Sequence, residues 1–254
     1  MKKFAAVLVS LVLVCAMVSV AFADTLTMCT NLAFPPYEFW DGDVQAGIDV
    51  EIAHAVAEKM GYDLVIEDIA FSSCIPGVSE GKYNFCMGGV TVTEERKQYV
   101  DFSDVYAQGI QVIIVPEGSP ITSIDDLLAE DAKYAVGVQE ATTGFIYISG
   151  DYETAGKADD LVQVYKNGND AVLALTSGKC DCVIIDNEPA KAFVASNPGL
   201  VILEAEYVIE DYAAVLPKGN DEFNTAFNAA LAELKAEGVL DAIVAKYINT
   251  GDAE

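Results

Sequence analysis

The residues that could bind a small charged molecule stand directly after the apolar segments of this chain. Arg96 follows an apolar run and a Gly-Gly pair, and Asp186 follows the apolar residues 182–185. A guanidinium binds a carboxylate through two parallel hydrogen bonds, and a carboxylate binds an ammonium group. The other candidates are hydroxyl, aromatic, amide and glycine residues at similar positions: Thr142, Thr143, Thr91, Gly89, Phe34, Phe71, Asn31 and Gln139. Together these residue types complement a small zwitterion.

Arg96 is the most informative candidate, because this chain hardly uses arginine. The sequence has one arginine and 13 lysines. Planar two-point binding of a carboxylate is a reason to place arginine at one position. The alternative is a surface arginine that pairs with Glu94 and Glu95. Asp186 also has an alternative, since an aspartate before a helix is a common N-cap.

The remaining side chains with chemical potential have structural alternatives. Phe34 and Phe71 are interpreted as walls of a cleft, with core packing as the alternative. Glu38 is interpreted as structural rather than ligand-contacting. His54, the only histidine, lies between two alanines of a helical segment and is interpreted as a helix-face residue, not a catalytic one. Cys180-x-Cys182 is interpreted as a pair of small buried hydrophobic residues that share one face of a strand.

Composition excludes several classes of function. The 254 residues carry 40 Asp+Glu against 14 Lys+Arg, which gives a formal net charge of -26. Nucleic-acid binding needs a cationic face, and anionic lipid surfaces would repel this chain. One histidine cannot build a multi-histidine zinc centre. We therefore expect no nucleic-acid partner, no metal and no cofactor.

The N-terminus has the pattern of a cleaved signal peptide over residues 1–23. Lys2 and Lys3 precede an apolar run at residues 4–20, and Ala-Phe-Ala at 21–23 is a small-x-small cleavage site. The alternatives are an uncleaved membrane anchor and a lipid anchor at Cys15. We expect a periplasmic or extracellular protein. Cleavage leaves five cysteines, an odd number, so at least one thiol stays free or pairs between chains.

The elements that position these residues alternate between strands and helices along two successive series. The alternation predicts an α/β fold with mostly parallel sheets. Ligands of such sheets bind at the carboxyl ends of the strands. The candidate residues occupy those ends. No flexible linker separates the two series, which indicates two lobes joined by crossing strands.

The chain resembles the amino-acid-binding branch of the bacterial solute-binding proteins, the receptors of ABC importers. The resemblance runs over the whole chain after residue 23 and rests on the order and spacing of several strings. They are FPPYEF at 34–39, GIDVE at 47–51, GKY at 81–83, TVTEER at 91–96, VDFS at 100–103, VGVQ at 136–139 with Thr142 and Thr143, CVIID at 182–186 and LPKG at 216–219.

The resemblance implies a two-lobed, periplasmic-binding-protein-like fold of type II. Lobe 1 would comprise residues 24–110 plus 206–254, and lobe 2 residues 111–205. Two crossing strands near 106–110 and 206–212 would form the hinge. Ala141 departs from the family, which often has glycine there.

The resemblance also implies roles for the candidate residues. Arg96 would bind the ligand's α-carboxylate with Thr91, Thr142 and Thr143, and Asp186 would bind the α-ammonium with the Gly89 carbonyl. Phe34 and Phe71 would cover the ligand side chain. Asn31 and Gln139 correspond to positions that vary with the ligand.

The expected function is capture of an L-amino acid with a neutral or polar side chain and delivery to an ABC permease by a monomer. No enzymatic activity is expected. The alternative is an exported dehydratase-like enzyme on the same scaffold that acts on a small carboxylate, with Glu38, Asp41 or Glu140 as the general acid or base.

Overall fold

A computed structural model of the chain describes residues 24–248. The predicted signal peptide with its predicted cleavage site, and Cys15, lie outside the described residues. The fold is therefore built from the part of the chain that follows the predicted cleavage site.

The described residues form fourteen strands and eight α-helices. The strands are β1 (Thr25–Thr30), β2 (Ala33–Phe34), β3 (Glu38–Asp41), β4 (Val44–Ala46), β5 (Asp63–Asp68), β6 (Phe85–Cys86), β7 (Asp101–Phe102), β8 (Ala107–Pro116), β9 (Val136–Gln139), β10 (Val162–Tyr165), β11 (Cys182–Asp186), β12 (Leu200–Ile202), β13 (Val208–Tyr212) and β14 (Val215–Leu216). The helices are α1 (Ile48–Met60), α2 (Cys74–Ser79), α3 (Ile124–Leu128), α4 (Thr143–Thr154), α5 (Gly168–Thr176), α6 (Asn187–Ser196), α7 (Asp221–Ala236) and α8 (Val239–Tyr247).

Two sheets divide the molecule into two α/β lobes. Sheet 1 has the strand order β5-β1-β6-β14-β7 and defines lobe 1. Sheet 2 has the order β10-β9-β11-β8-β12, with β13 also paired to β8, and defines lobe 2. A small three-stranded sheet, β2-β3-β4, lies beside them. The two-lobed α/β class agrees with the prediction from sequence.

Both sheets are mixed, which refines the expectation of mostly parallel sheets. In sheet 1, β1 is parallel to β5 and β6, whereas β14 is antiparallel to β6 and β7. In sheet 2, β9 is parallel to β10 and β11, whereas β8 is antiparallel to β11, β12 and β13. The antiparallel strands are those through which the chain leaves lobe 1 and returns to it.

The connection between the lobes is an antiparallel pair of strands. The first half of β8 pairs with all of β13, from Ala107 opposite Tyr212 to Gln111 opposite Val208. The chain then re-enters sheet 1 at Val215. Two buried alanines, Ala213 and Ala214, separate β13 in sheet 2 from β14 in sheet 1.

Local sequence signals explain several element boundaries. In α1, Ile48, Ile52 and Val56 recur at four-residue spacing and are buried, and the helix ends at Gly61 in a left-handed conformation with φ of 82°. In α3, Ser123 and Asp126 form a capping box. Within residues 24–248, no helix is both long and apolar enough to cross a membrane.

Candidate functional site

All ten residues that the sequence predicts for the site line one cavity between the lobes. Its wall consists of Asn31, Phe34, Glu38, Phe71, Gly88, Gly89, Thr91, Arg96, Gln139, Thr142, Thr143 and Asp186. Several of these residues end or follow β1, β6, β9 and β11, the central strands of the two sheets. The carboxyl ends of parallel strands meet at one edge of a sheet, and here two such edges face each other.

Arg96 spans the cleft through its guanidinium group. It lies in a single 3₁₀ turn after β6 and is 7% exposed. Its Nη1 donates to the Thr91 carbonyl in lobe 1 at 2.8 Å, and its Nη2 donates to the Ala141 carbonyl in lobe 2 at 2.9 Å. Burial lowers the pKa of the guanidinium, and the negative charge of Glu210 acts against that shift. The alternative of a surface ion pair does not describe this side chain.

A chain of hydroxyl and carboxylate groups continues from the arginine into the hinge. The hydroxyls of Thr91 and Thr143, one from each lobe, lie 3.4 Å apart. Thr91 also donates to Glu210 Oε2 at 3.1 Å, and Gln111 Nε2 donates to the same oxygen at 2.9 Å. Glu210 lies on β13 and is buried. The crossing strands therefore contribute a carboxylate to the polar network beside the cavity.

Asp186 is held in the cavity wall as a buried carboxylate. It ends β11 and occupies the N-cap position of α6, but its side chain makes no capping hydrogen bond. The hydroxyl of Tyr212 donates to its Oδ1. Burial, followed by the charge of Glu210, raises the pKa of Asp186 to about 7. A buried carboxylate without a cation next to it is a strong acceptor for an ammonium group.

Thr142 and Gln139 shape the start of α4, which forms part of the cavity wall. Thr142 is the N-cap, and its hydroxyl accepts from the Phe145 amide at 3.3 Å. The same hydroxyl donates to the Gln139 carbonyl at 2.8 Å. The unpaired amides of a helix N-terminus favour a carboxylate.

Two phenyl rings and a glycine define the apolar part of the cavity. The Phe71 ring lies under the Arg96 guanidinium, with 5.9 Å from Cζ to the ring centroid. The Phe34 ring lies against Gly89, where an added Cβ would meet it at 2.9 Å. Gly89 also has φ of 54°, so glycine is required there for two reasons. Asn31 is fixed by its Nδ2, which donates to the Ile69 carbonyl at 3.0 Å.

Glu38, which the sequence analysis interprets as structural, lines the cavity beside the ten predicted residues. Its carboxylate lines the cavity, the residue is 1% exposed, and its Oε2 has no hydrogen-bond partner among the described residues. Burial raises its pKa well above the ordinary value. The alternation of the strand gives no signal for this burial, because Glu38 shares one face of β3 with Trp40, which is exposed.

A second buried carboxylate supports the loop that carries Gly89. Asp49, in the first turn of α1, accepts from the Gly89 amide at 2.8 Å and from the Tyr106 hydroxyl at 2.7 Å. Burial raises the pKa of Asp49 to about 7. These bonds fix the backbone beneath the cavity.

The family described as bacterial extracellular solute-binding proteins, family 3, matches residues 26–250. The chain belongs to this family. Its two α/β lobes with a polar cavity between them have the type II fold of such solute-binding proteins.

The relatives of this solute-binding protein are named for amino acids. The arginine-binding extracellular protein ArtP of Bacillus subtilis (strain 168) is 32% identical over 234 residues, which cover 89% of this chain and 87% of the relative. An ancestral arginine-binding protein bound to arginine is 35% identical with a TM-score of 0.83 and covers 89% of this chain and 99% of its own. An ancestral arginine-binding protein bound to glutamine is 35% identical with a TM-score of 0.81, and the match covers 88% of this chain and 97% of that chain.

The candidate acids and bases of the enzyme alternative do not converge in this solute-binding protein. Asp41 is exposed on β3, and Glu140 is engaged by the Ser72 hydroxyl at 2.7 Å. Glu38 alone lines the cavity. His54 is exposed on α1. The relatives reported above are named as binding proteins, so the comparisons do not favour the dehydratase alternative.

Proposed function

We propose that this solute-binding protein captures an L-amino acid with a cationic side chain, arginine above others, and delivers it to the permease of an ABC importer. The observation that carries the proposal is the charge of the cavity wall. Its titratable groups are Arg96, Asp186 and Glu38, two carboxylates against one cation. A zwitterion alone would balance Arg96 and Asp186 and leave Glu38 without a partner.

The backbone of the ligand accounts for the first two charged groups. Arg96, Thr91 and the N-terminus of α4 would bind the α-carboxylate, since they provide a guanidinium, a hydroxyl and backbone amides. Asp186 would bind the α-ammonium, with the Gly89 carbonyl as a second acceptor. Phe34 and Phe71 would enclose the aliphatic part of the side chain.

The side chain of the ligand accounts for the third charged group of the cavity wall, Glu38. The Oε2 atom of Glu38 is buried and lacks a hydrogen-bond partner among residues 24–248. A buried carboxylate without a hydrogen-bond partner destabilises the folded protein by on the order of several kcal/mol, unless it is protonated or paired with a cation. A guanidinium would supply both the charge and the paired donors. The names of the relatives as arginine-binding proteins support the same ligand.

A neutral polar ligand is the second candidate. The sequence favours it through Phe34, Phe71, Asn31 and Gln139, and the glutamine bound to the ancestral protein supports it. A protonated Glu38 would then donate a hydrogen bond to the ligand amide. The raised pKa of Glu38 is compatible with this form in the absence of a cation.

The lobes would close on the ligand by a hinge motion. The proposed boundaries are 24–110 plus 206–254 for lobe 1 and 111–205 for lobe 2, supported by the pairing of β8 with β13 between the sheets. The working form would be an extracellular or periplasmic monomer released from its signal peptide at residue 23.

The proposal is tested by calorimetry with a panel of L-amino acids and the variant Glu38→Gln. The wild-type protein should bind arginine most tightly. Glu38→Gln should weaken arginine binding about 10- to 100-fold, because one charge-assisted hydrogen-bond pair is lost, and should leave glutamine binding nearly unchanged.

Asp41→Asn is the matched control, since Asp41 lies on the same strand but is exposed. It should leave arginine binding unchanged. If glutamine binds the wild type more tightly than arginine, the cationic assignment is wrong. If no L-amino acid binds below millimolar concentration, the proposed function fails altogether.

A further inference from the structure

Three cysteines from three elements converge beneath the ligand cavity. Cys29 lies in β1, Cys74 begins α2, and Cys86 lies in β6. Their sulfur atoms all lie within 4.8 Å of one another, and each residue is fully buried. Cys29 and Cys86 are direct neighbours across the parallel strands β1 and β6. The convergence is thus fixed by the sheet and by the helix that covers it.

The three thiols are free, and their surroundings give them little else to bind. The hydrogen bonds to neighbouring backbone carbonyls are long, at 3.7 Å from Cys29 to Cys74, 3.7 Å from Cys86 to Met87 and 3.8 Å from Cys74 to Ala70. The rest of the wall is apolar, with Val78, Val90, Val100 and Val215 fully buried around the sulfur atoms. Such a wall excludes water and leaves the thiols facing one another.

The thiols also influence one another's protonation. Hydrogen bonds from the thiols of Cys74 and Cys86 lower the pKa of Cys29. The thiolate, and not the thiol, is the metal ligand. Coordination of a metal ion by the cluster would therefore require the loss of thiol protons.

We propose that Cys29, Cys74 and Cys86 form a three-coordinate thiolate site for one soft monovalent metal ion, with Cu(I) as the ion that fits best. Thiolates select soft ions such as Cu(I) and Zn(II). Zinc requires four ligands. Within the described residues the cluster holds three thiols and no imidazole or carboxylate, and His54 is exposed on α1. Three ligands in a dry pocket match an ion that accepts trigonal coordination.

The distances are suitable for such a site. Three sulfur atoms around a metal at about 2.3 Å, the metal–sulfur distance of thiolate sites, would lie roughly 4 Å apart. The observed limit of 4.8 Å requires only small side-chain rotations. Binding would release one proton from each thiol that coordinates the ion as a thiolate, and it involves no change of oxidation state.

The cluster is close to the surface on one side and to the ligand cavity on the other. Ile69 and Tyr83 pack against it and also line a surface pocket beside α2. Cys29 precedes the cavity residue Asn31 by two positions, and Cys86 precedes Gly88 by two. A bound ion would therefore stabilise the backbone on which lobe 1 presents its half of the cavity.

Cys180 and Cys182 provide a matched pair of control thiols. Both are buried, but Cys180 packs in the core with Val183 and Ile185, whereas Cys182 packs in the core with Ile184. Their side chains lie on different faces of sheet 2, contrary to the expectation that they share one face, because Cys180 precedes β11 and is not part of the strand. They cannot act together as ligands.

The test is an anaerobic titration of the full chain with Cu(I) in competition with a chromogenic chelator. The background carries Cys15→Ser, because Cys15 lies outside the described residues. The protein should withhold one equivalent of Cu(I) and develop a thiolate-to-metal absorption band in the near ultraviolet. Cys29→Ser and Cys74→Ser should weaken binding at least 100-fold, and Cys180→Ser with Cys182→Ser should not change it.

Three outcomes would overturn the proposal. The first is failure of the wild-type chain to withhold one equivalent, a result that does not depend on whether any variant folds. The second is full binding by a Cys29→Ser or Cys86→Ala protein whose circular dichroism is native. The third is a disulfide between two of the three cysteines in the freshly isolated protein, found by counting thiols after denaturation. None of these outcomes bears on the amino-acid proposal.

Discussion

Four buried carboxylates, Glu38, Asp49, Asp186 and Glu210, lie at or near the cavity with a single guanidinium. Burying a charge without a partner is costly, so such groups are protonated, hydrogen-bonded or matched by a ligand cation. Tyr212, Tyr106, Thr91 and Gln111 satisfy part of this set. Under the proposed function, the remaining unmatched oxygen atoms would favour ligands that bring positive charge.

Ligand affinity should therefore depend on pH. The pKa of Asp186 is raised to about 7 by burial and by Glu210. Below pH 7 the ligand-free protein holds this proton, and an ammonium group can bind only after the proton leaves. Arginine affinity should fall as the pH is lowered from 7 to 5, by at most about ten-fold per unit for one carboxylate. Calorimetry in buffers of different ionisation enthalpy would measure both the affinity and the released proton.

The stability of the ligand-free protein should change in the opposite direction. Unfolded aspartate has a pKa of about 3.9, whereas Asp49 and Asp186 are near 7 in the folded protein. Between these values the folded state binds more protons, so the free energy of unfolding falls as the pH rises from about 4 to 7. Asp101 and Asp126 have lowered pKa values, and their contribution is lost only as the pH falls through those lowered values, outside this window.

Thermal melts at pH 5.5 and pH 8 would check the predicted pH dependence of arginine affinity and of the stability of the ligand-free protein. The ligand-free protein should melt higher at pH 5.5, and added arginine should raise the melting temperature more at pH 8. The Asp186→Asn protein should lose much of the pH dependence of the ligand-free melt. An affinity for arginine that stays constant from pH 5 to pH 8 would contradict the assignment of Asp186 as the ammonium acceptor.

Arg96→Lys should abolish ligand binding although it keeps the positive charge. The guanidinium bonds to the Thr91 and Ala141 carbonyls and presents its remaining N–H groups toward the cavity, whereas an ammonium group lacks this planar geometry. We expect a loss of about 100-fold, or about 2.7 kcal/mol, which lies near the upper end of the 1.5–3 kcal/mol that a hydrogen bond to a charged group contributes. Calorimetry measures the loss, and Lys97→Ala, which removes an exposed ion pair with Glu94, is the control.

At the scale of single elements, the turn from β9 into α4 contains a strained residue. Ala141 has φ of 60°, the only non-glycine residue with positive φ in the described part of the chain. The left-handed conformation destabilises the folded protein by about 1–2 kcal/mol when the residue is alanine instead of glycine. Part of the gain from a glycine would be lost, because glycine has more conformational freedom in the unfolded chain. The Ala141 carbonyl accepts from Arg96, which explains why this conformation is kept.

Ala141→Gly should therefore stabilise the protein by about 0.5–1 kcal/mol. For a chain of this size the melting temperature should rise by roughly 2–4 °C. Differential scanning calorimetry of the ligand-free protein would measure the shift. Gly118→Ala, at φ of 80° in an open turn, is the converse control and should lower the melting temperature. A lower melting temperature for Ala141→Gly would show that chain entropy outweighs the strain.

The elements also show how far the sequence alone determines the site. Periodicity and caps predict α1 and α3, and apolar runs predict the central strands, so residues at the strand ends could be assigned to one cavity. The small sheet formed by β2, β3 and β4 could not be predicted, because its strands are two to four residues long. Glu38 lies on it, and its carboxylate lies beside Gly88 and within the electrostatic influence of Asp49 and Asp186, all from distant segments. Local patterns contain no signal for such contacts.

At the scale of the whole molecule, affinity depends on the balance between open and closed lobes as well as on the cavity itself. In the described part of the chain, three hydrogen bonds outside the crossing strands join the lobes: Arg96 with Ala141, Thr91 with Thr143, and Ser72 with Glu140. The first two involve residues that would touch the ligand. The third lies outside the cavity wall, so its contribution to closure can be separated from ligand contact. Any free energy lost from the closed state reduces the apparent affinity by the same factor as the closed population.

Ser72→Ala should weaken arginine binding about 5-fold, because the partly buried bond of 2.7 Å to Glu140 contributes about 1 kcal/mol to the closed state. The change should appear in the dissociation rate, since the open state that first meets the ligand lacks this bond. Stopped-flow fluorescence would measure both rate constants. Ser73→Ala, at the exposed neighbouring position, should change neither. A slower association with unchanged dissociation would mean that Ser72 acts on the open state, and closure would then depend on the cavity contacts and the ligand alone.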